Sequence, residues 1–219
     1  DGAVADEERA PATAPGYTDY ERTKRRSLEA ARRRVASGQP IVIVYPGIVY
    51  GAGAATEGNL LRTMLEDYLR GRLRARLGRG DLRICYAYAE DVARGHLLAL
   101  ERGRPGRGYI LGGPTATREG WSRPRPTPPG PRAPTLAAPC GGPGPAGAAG
   151  GVGARLTGRT PAITPGIVST FKHEWAYRSD RAVGEIGYTV TPLVEGMRRT
   201  LAALTGGSAP PVTGLRESL

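Results

Sequence analysis

An α/β fold built on a parallel sheet is what this sequence predicts, on three observations. Ile41-Val42-Ile43-Val44-Tyr45 is a β-branched run without apolar/polar alternation, the pattern of a strand covered on both faces. Tyr109-Ile110-Leu111 before Gly112-Gly113 repeats it in brief. Stretches of helical periodicity precede the first run and lie between the two, as a strand–helix–strand crossover requires.

The first helix is predicted to begin at Tyr17 to Tyr20. Thr18-x-x-Glu21 has the form of a capping box, Arg32 to Arg34 fall in the last turn where cations complement the helix dipole, and Gly38 supplies a stop. Residues 1 to 16, acidic and then Pro/Ala-rich, read as loop. Pro46-Gly47 ends the first strand, and Pro46 to Gly53 reads as a loop beyond its carboxyl end, where ligands of open α/β sheets lie. A helix is expected over 59 to 77, with Leu61, Leu65 and Tyr68 on one side and an Arg cluster beyond it that reads as solvated surface. A short strand near Leu82 to Tyr86 follows, then a helix from Asp91 to Glu101 with Val92, His96, Leu97 and Leu100 along one face. Residues 121 to 150 are dominated by Pro, Gly, Ala and Arg, a composition that buries too little apolar surface to offset chain entropy. Ser179 to Gly187 and Pro192 to Leu204 read as two short amphipathic helices, ahead of a frayed tail after Thr205.

The chain has 219 residues and a net charge of +11, which would ordinarily suggest nucleic acid. All its cations except Lys24 and Lys172 are Arg, however, and a bias to Arg, Ala, Gly and Pro is what a GC-rich coding sequence produces without any binding role. The arginines are scattered, with few aromatics to stack on bases, so a basic nucleic-acid or interaction module stands as the alternative and not the first reading. Cys85 and Cys140 have no metal-ligand spacing, so no metal site is expected. No apolar run approaches the ~20 residues that span a bilayer, and a cytoplasmic, non-membrane protein is expected.

Chemistry concentrates on Tyr20 and Lys24. Four positions apart on a helix, they share a face and can meet over one ligand. A phenol with its ordinary pKa of about 10 is a poor acid or base at neutral pH, and a neighbouring ammonium lowers that value by charge attraction. With ten Tyr in the chain and two Lys, such a pair arises by chance only ~0.1 times, at the helical spacing that brings the two together.

The blocks around the pair carry a resemblance. Asp19-Tyr-Glu-Arg-Thr-Lys24, Ile41-Val-Ile-Val-Tyr-Pro-Gly-Ile-Val-Tyr-Gly51, Glu90-Asp-Val-Ala-Arg-Gly-His-Leu-Leu-Ala-Leu-Glu-Arg-Gly103 with Tyr109-Ile-Leu-Gly-Gly113, and, more weakly, Tyr177 to Tyr188 with Pro192 to Gly196 occur in one order. In that order the chain resembles the extended short-chain dehydrogenase/reductases, within them the NAD(P)-dependent epimerase/dehydratase and dihydroflavonol-reductase-like groups. The resemblance implies a partial Rossmann-like, doubly wound parallel sheet over 17 to 118, lacking its N-terminal strands. A small, mostly helical substrate region would follow over 160 to 205, with an irregular segment over 119 to 159 and a flexible tail over 206 to 219. It implies NAD or NADP as cofactor. Tyr20 would be the acid/base that protonates a carbonyl or deprotonates a carbinol, and Lys24 would tune it and bond the nicotinamide ribose. Pro46, Gly47, Ile48 and Val49 would lie along the cofactor, with Tyr50 and Gly51 on the substrate side. The implied partners are a small carbonyl or carbinol substrate, a sugar nucleotide or a flavonoid- or steroid-like ketone, and a second copy meeting through the Tyr20–Val35 helix. Asp91 and Arg94 are expected to cap and pack.

Two departures accompany it. The family's glycine-rich strand–turn–helix, where a helix amino terminus holds the pyrophosphate, does not occur ahead of Tyr20, and neither does a Ser or Thr at the family's distance upstream. The expectation is therefore an incomplete, inactive fragment. The 120 to 156 segment replaces a helical region, as two compensating frameshifts would produce; retranslating the DNA in its other frames tests this.

Overall fold

The structure, a computed structural model, describes residues 4–9, 19–54, 62, 65–66, 82–117 and 173–207. Its named elements are α1 (Asp19–Ala36), β1 (Ile43–Pro46), β2 (Ile48–Tyr50), β3 (Arg83–Tyr88), α2 (Ala89–Arg102), β4 (Gly108–Leu111), β5 (Thr115–Thr117), a π-helical turn (Ala182–Ile186) and α3 (Leu193–Leu204). The Thr18 cap and the irregular segment near 120 to 156 lie outside the described residues.

β1 runs parallel to β4 with Val44 opposite Tyr109, and β2 runs parallel to β3 with Val49 opposite Ala87. α2 crosses from β3 to β4, so the α/β arrangement read from the apolar runs is the one observed. β5 adds an antiparallel edge to β3, pairing Ile84 with Ala116. Pro46 to Gly53, expected as loop, contains β2. At Gly47 the chain leaves β4 and joins β3; a Cβ there would stand 3.1 Å from both the carbonyl oxygen and the Sγ of Cys85, a tight contact that glycine avoids.

The core has two parts. One packs Tyr50, Ile84, Tyr86 and Tyr88 against Leu193, Met197 and Leu201 of α3. Tyr50 meets Tyr86 edge-on at 6.5 Å between ring centroids, a geometry that favours aromatic pairs. The other packs Tyr109 and Leu111 of β4 against Ala99, Ala182, Ile186 and Tyr188.

α2 turns a different face inward from the one expected. Asp91, Val92, Gly95 and Ala99 are buried, while Leu97 is 61% and Leu100 82% exposed. A Cβ on Gly95 would come within 2.8 Å of Leu111 and 3.0 Å of Tyr188, so the helix rides close to β4 on its small residues; Leu98 packs at the margin of the core, and Leu97 and Leu100 are left outside. β1 differs too: Ile41 to Tyr45, expected to be covered on both faces, are all only half-buried, whereas Tyr109 to Leu111 of β4 are buried. α1 buries no residue at all. Its stop is as expected, with Gly38 at φ 90° donating its N–H to the Val35 carbonyl.

The two expected C-terminal helices are the π-helical turn and α3. Gly187, at φ 76°, ends the first by donating back to Ala182. Residues 4–9, read as loop, are tied to the end of the chain: Ala5 bridges Tyr177, donating to the Ala176 carbonyl at 2.9 Å and accepting from the Arg178 N–H. Trp175 bridges Ile84 alongside β3.

Candidate active site

Tyr20 and Lys24 stand on the first turns of α1. Lys24 Nζ lies 5.5 Å from the centroid of the Tyr20 ring, and Tyr20 is 69% exposed. The helix spacing thus brings ammonium and phenol together over one open face. Neighbouring polar groups hold the helix start locally: Asp19 accepts from Arg22, and Thr23 Oγ1 donates to the Asp19 carbonyl at 2.8 Å.

Pro46 closes the carboxyl end of β1 and is exposed; Gly47, Ile48 and Val49 are half-buried. Gly47 donates to the Leu111 carbonyl at 3.1 Å, so the backbone at this end is fixed by β4. Tyr50 and Gly51, expected on the substrate side, are both inside the protein. Tyr50 has no exposed surface, its hydroxyl sits 2.0 Å from where a Cβ on Gly196 would be, and Gly51 packs against Ala89 at the start of α2. The Ala52 and Gly53 carbonyls that follow are gripped by Arg62, which also bonds Glu66 at 2.8 Å.

Asp91 packs as expected but does not cap: α2 begins after Tyr88 with no side-chain cap hydrogen bond. Its buried carboxylate accepts from the Thr191 N–H at 2.6 Å, the Thr191 hydroxyl at 2.9 Å and Arg94 at 3.1 Å, fixing the approach to α3. His96 is exposed and keeps Nδ1 2.8 Å from the Val92 carbonyl. Burial pushes the Cys85 thiol above its usual range, which leaves it a poor nucleophile. No group of His, Cys, Asp and Glu able to hold a metal occurs among the described residues, and no helix among them is long and apolar enough to cross a membrane.

One residue of consequence was invisible in the sequence. The Glu7 carboxylate accepts the Ile110 N–H at 2.8 Å, across 103 positions, and no local pattern marks such a partner.

The parallel pairs and the β3–α2–β4 crossover define a Rossmann-type α/β protein. The model of the NAD dependent epimerase/dehydratase family matches residues 2–112, and the chain belongs to that family. No curated protein matches it. Among solved structures, gox2253 is similar at 22% identity and a TM-score of 0.67, over 94% of this chain and 62% of that one. DesIV, a dTDP-glucose 4,6-dehydratase from Streptomyces venezuelae with NAD and TYD bound, is similar at 18% identity and a TM-score of 0.62, over 94% of this chain and 56% of that one. The UDP-glucuronic acid 4-epimerase from Bacillus cereus, in complex with NAD, is similar at 16% and 0.60, over 91% and 55%. The chain therefore spans roughly three fifths of the length of the structures it matches.

Proposed function

We propose that this chain supplies the acid/base half of an NAD(P)-dependent site that oxidises, reduces or epimerises a carbinol or carbonyl carbon, with a sugar nucleotide as the favoured substrate class. The observation that carries the reading is Lys24 Nζ beside the Tyr20 ring on an open helix face, in a chain of the epimerase/dehydratase family. Tyr20 Oη passes a proton to a carbonyl oxygen or takes one from a carbinol. When bound, the nicotinamide supplies the hydride acceptor or donor. Lys24 would hold its ribose, while Pro46 to Val49, at the strand end, would flank the ring and keep water from it. These residues suit the nicotinamide end alone. The sugar-nucleotide preference rests on DesIV and the Bacillus cereus epimerase, and NAD over NADP has the same support.

Nicotinamide mononucleotide is the test ligand, because it carries only the part these residues would touch. Weak binding by saturation-transfer NMR, lost in Lys24→Ala and altered in Tyr20→Phe, is the expected result. Binding unchanged in both variants would remove the pair from the site. Submicromolar NAD binding by calorimetry would show that a pyrophosphate site exists after all.

A further inference from the structure

β2 carries the last residues of the segment proposed to flank the nicotinamide, and it is only three residues long. Among the described residues it has one strand neighbour, β3, with Ile48 opposite Tyr86, Val49 opposite Ala87 and Tyr50 opposite Tyr88. So short a ladder holds a strand weakly, and packing decides where it stands. Alternation turns Ile48 and Tyr50 to one face, where both pack in the cluster that contains Leu193, Met197 and Leu201 of α3.

The approach to α3 is closest at Gly196. A Cβ on that residue would overlap the Tyr50 hydroxyl oxygen and come within 2.9 Å of Cζ and 3.3 Å of Cε2. The ring has little room to withdraw, because Tyr86 meets it at 6.5 Å and Tyr88 at 5.6 Å between centroids, and Tyr50 has no exposed surface. α3 is itself pinned on both sides of the contact. Ahead of it, the Asp91 carboxylate accepts from the Thr191 N–H and hydroxyl at 2.6 and 2.9 Å. After it, Met197 and Thr200 are buried, and the Thr200 hydroxyl donates to the Gly196 carbonyl at 2.8 Å. A close-packed interior passes such a contact on as displacement and does not absorb it.

We propose that Tyr50 is a positioning residue: its hydroxyl, lodged against the backbone of α3 at Gly196, makes that helix the stop that sets where Pro46 to Val49 stand beside the nicotinamide. The contact rests on packing alone, and its consequence for the ligand rests on the function proposed above. A misplacement on the order of 1 Å is enough to spoil a reacting geometry.

The test is Gly196→Ala in the 219-residue chain, read in three ways. The Ile48 and Val49 amide resonances should shift and the melting temperature should fall. Binding of nicotinamide mononucleotide, followed by saturation-transfer NMR, should weaken at least about fivefold. Tyr50→Phe removes the oxygen that the new methyl group meets, so the double variant Tyr50→Phe/Gly196→Ala should recover part of all three losses. Ile186→Val, in the other core cluster, should lower the melting temperature yet leave the two amides and the affinity unchanged, which separates positioning from stability. If Gly196→Ala does not fold, Tyr50→Phe alone is read at the same amides and should move them. Amides that stay in place in either single variant overturn the proposal. So does an unchanged affinity in a Gly196→Ala chain whose amides have moved, or a double variant no better than Gly196→Ala. Failure of the functional reading looks different: the natural chain does not bind the mononucleotide, while the two amides still follow the Gly196 variants and uphold α3 as the stop for β2.

Discussion

The body built from β2, β3, β4, α2 and α3 and the flank built from α1 and β1 use equally apolar strands and reach different ends. On the first, Tyr109, Leu111, Ile186, Tyr188 and Leu193 are fully or almost fully buried, and polar side chains close the sheet edge. On the second, β1 is half-covered and α1 buries nothing, yet α1 carries both residues of the proposed acid/base pair. A strand's apolar pattern states what it can bury; only a neighbouring layer buries it. The proposed chemistry of this chain therefore sits on an element with no fully buried residue.

The sharpest way to break the comparison is at the tight flank. A Cβ on Gly113 would fall 1.9 Å from the backbone carbonyl oxygen of Tyr86. No flexible side chain can yield there, so Gly113→Ala should cost about 3 kcal/mol or more, measured by urea denaturation, through displacement of β3. Gly53→Ala, where nothing stands within 4 Å, is the control and should change stability by less than about 0.5 kcal/mol. Next in size is Leu193→Ala. This side chain is wholly buried between α3 and the Tyr50 cluster, and its loss should cost about 2–5 kcal/mol.

Much of the first flank was legible in the sequence. Tyr109-Ile110-Leu111 before Gly112-Gly113, and the helical spacing over Asp91 to Glu101, are local signals, and both elements lie where those signals put them. β2 and β5 were not legible, because three residues do not establish a period. The inward face of α2 was misread since its hydrophobicity lies on Leu97 and Leu100, whereas its packing is decided by the absence of a side chain at Gly95. Asp91 with Thr191, and Glu7 with Ile110, join residues about a hundred positions apart, and periodicity carries no information at that range. For the site, the helix spacing gave the Tyr20–Lys24 contact, but nothing local indicated that Tyr50 would turn into the core.

Alkaline titration separates the flanks in another way. Tyr177 is pushed up to about 12, and Tyr188 is raised as well, in both cases chiefly by burial and further by nearby negative charge. The sign follows from linkage: a phenol whose folded pKa exceeds its unfolded value of about 10 contributes stability that is complete below pH 10 and is lost as pH rises through the folded value. The melting temperature should therefore fall between about pH 10 and pH 12, and Tyr177→Phe should flatten that fall. An equal decline in Tyr177→Phe would assign it to other groups.

The smallest effect is the most telling for the proposed site. Leu28 lies on the half-buried stripe of α1 formed by Glu21, Arg25, Leu28 and Val35, and no residue of that helix is fully buried. Leu28→Ala should then cost less than about 1 kcal/mol, near the difference expected from a partly exposed side chain and well below the Leu193→Ala cost. Far-ultraviolet circular dichroism of the variant, followed with temperature, would show α1 melting ahead of the rest, because a polar helix with only half-buried contacts gains little from tertiary packing. If Leu28→Ala instead matches Leu193→Ala, α1 is held as firmly as α3. Tyr20 and Lys24 would then sit on a rigid platform, and the contrast between the flanks would reduce to the half-burial of β1. A small cost with early melting means the opposite: the proposed acid/base pair sits on the element that yields first.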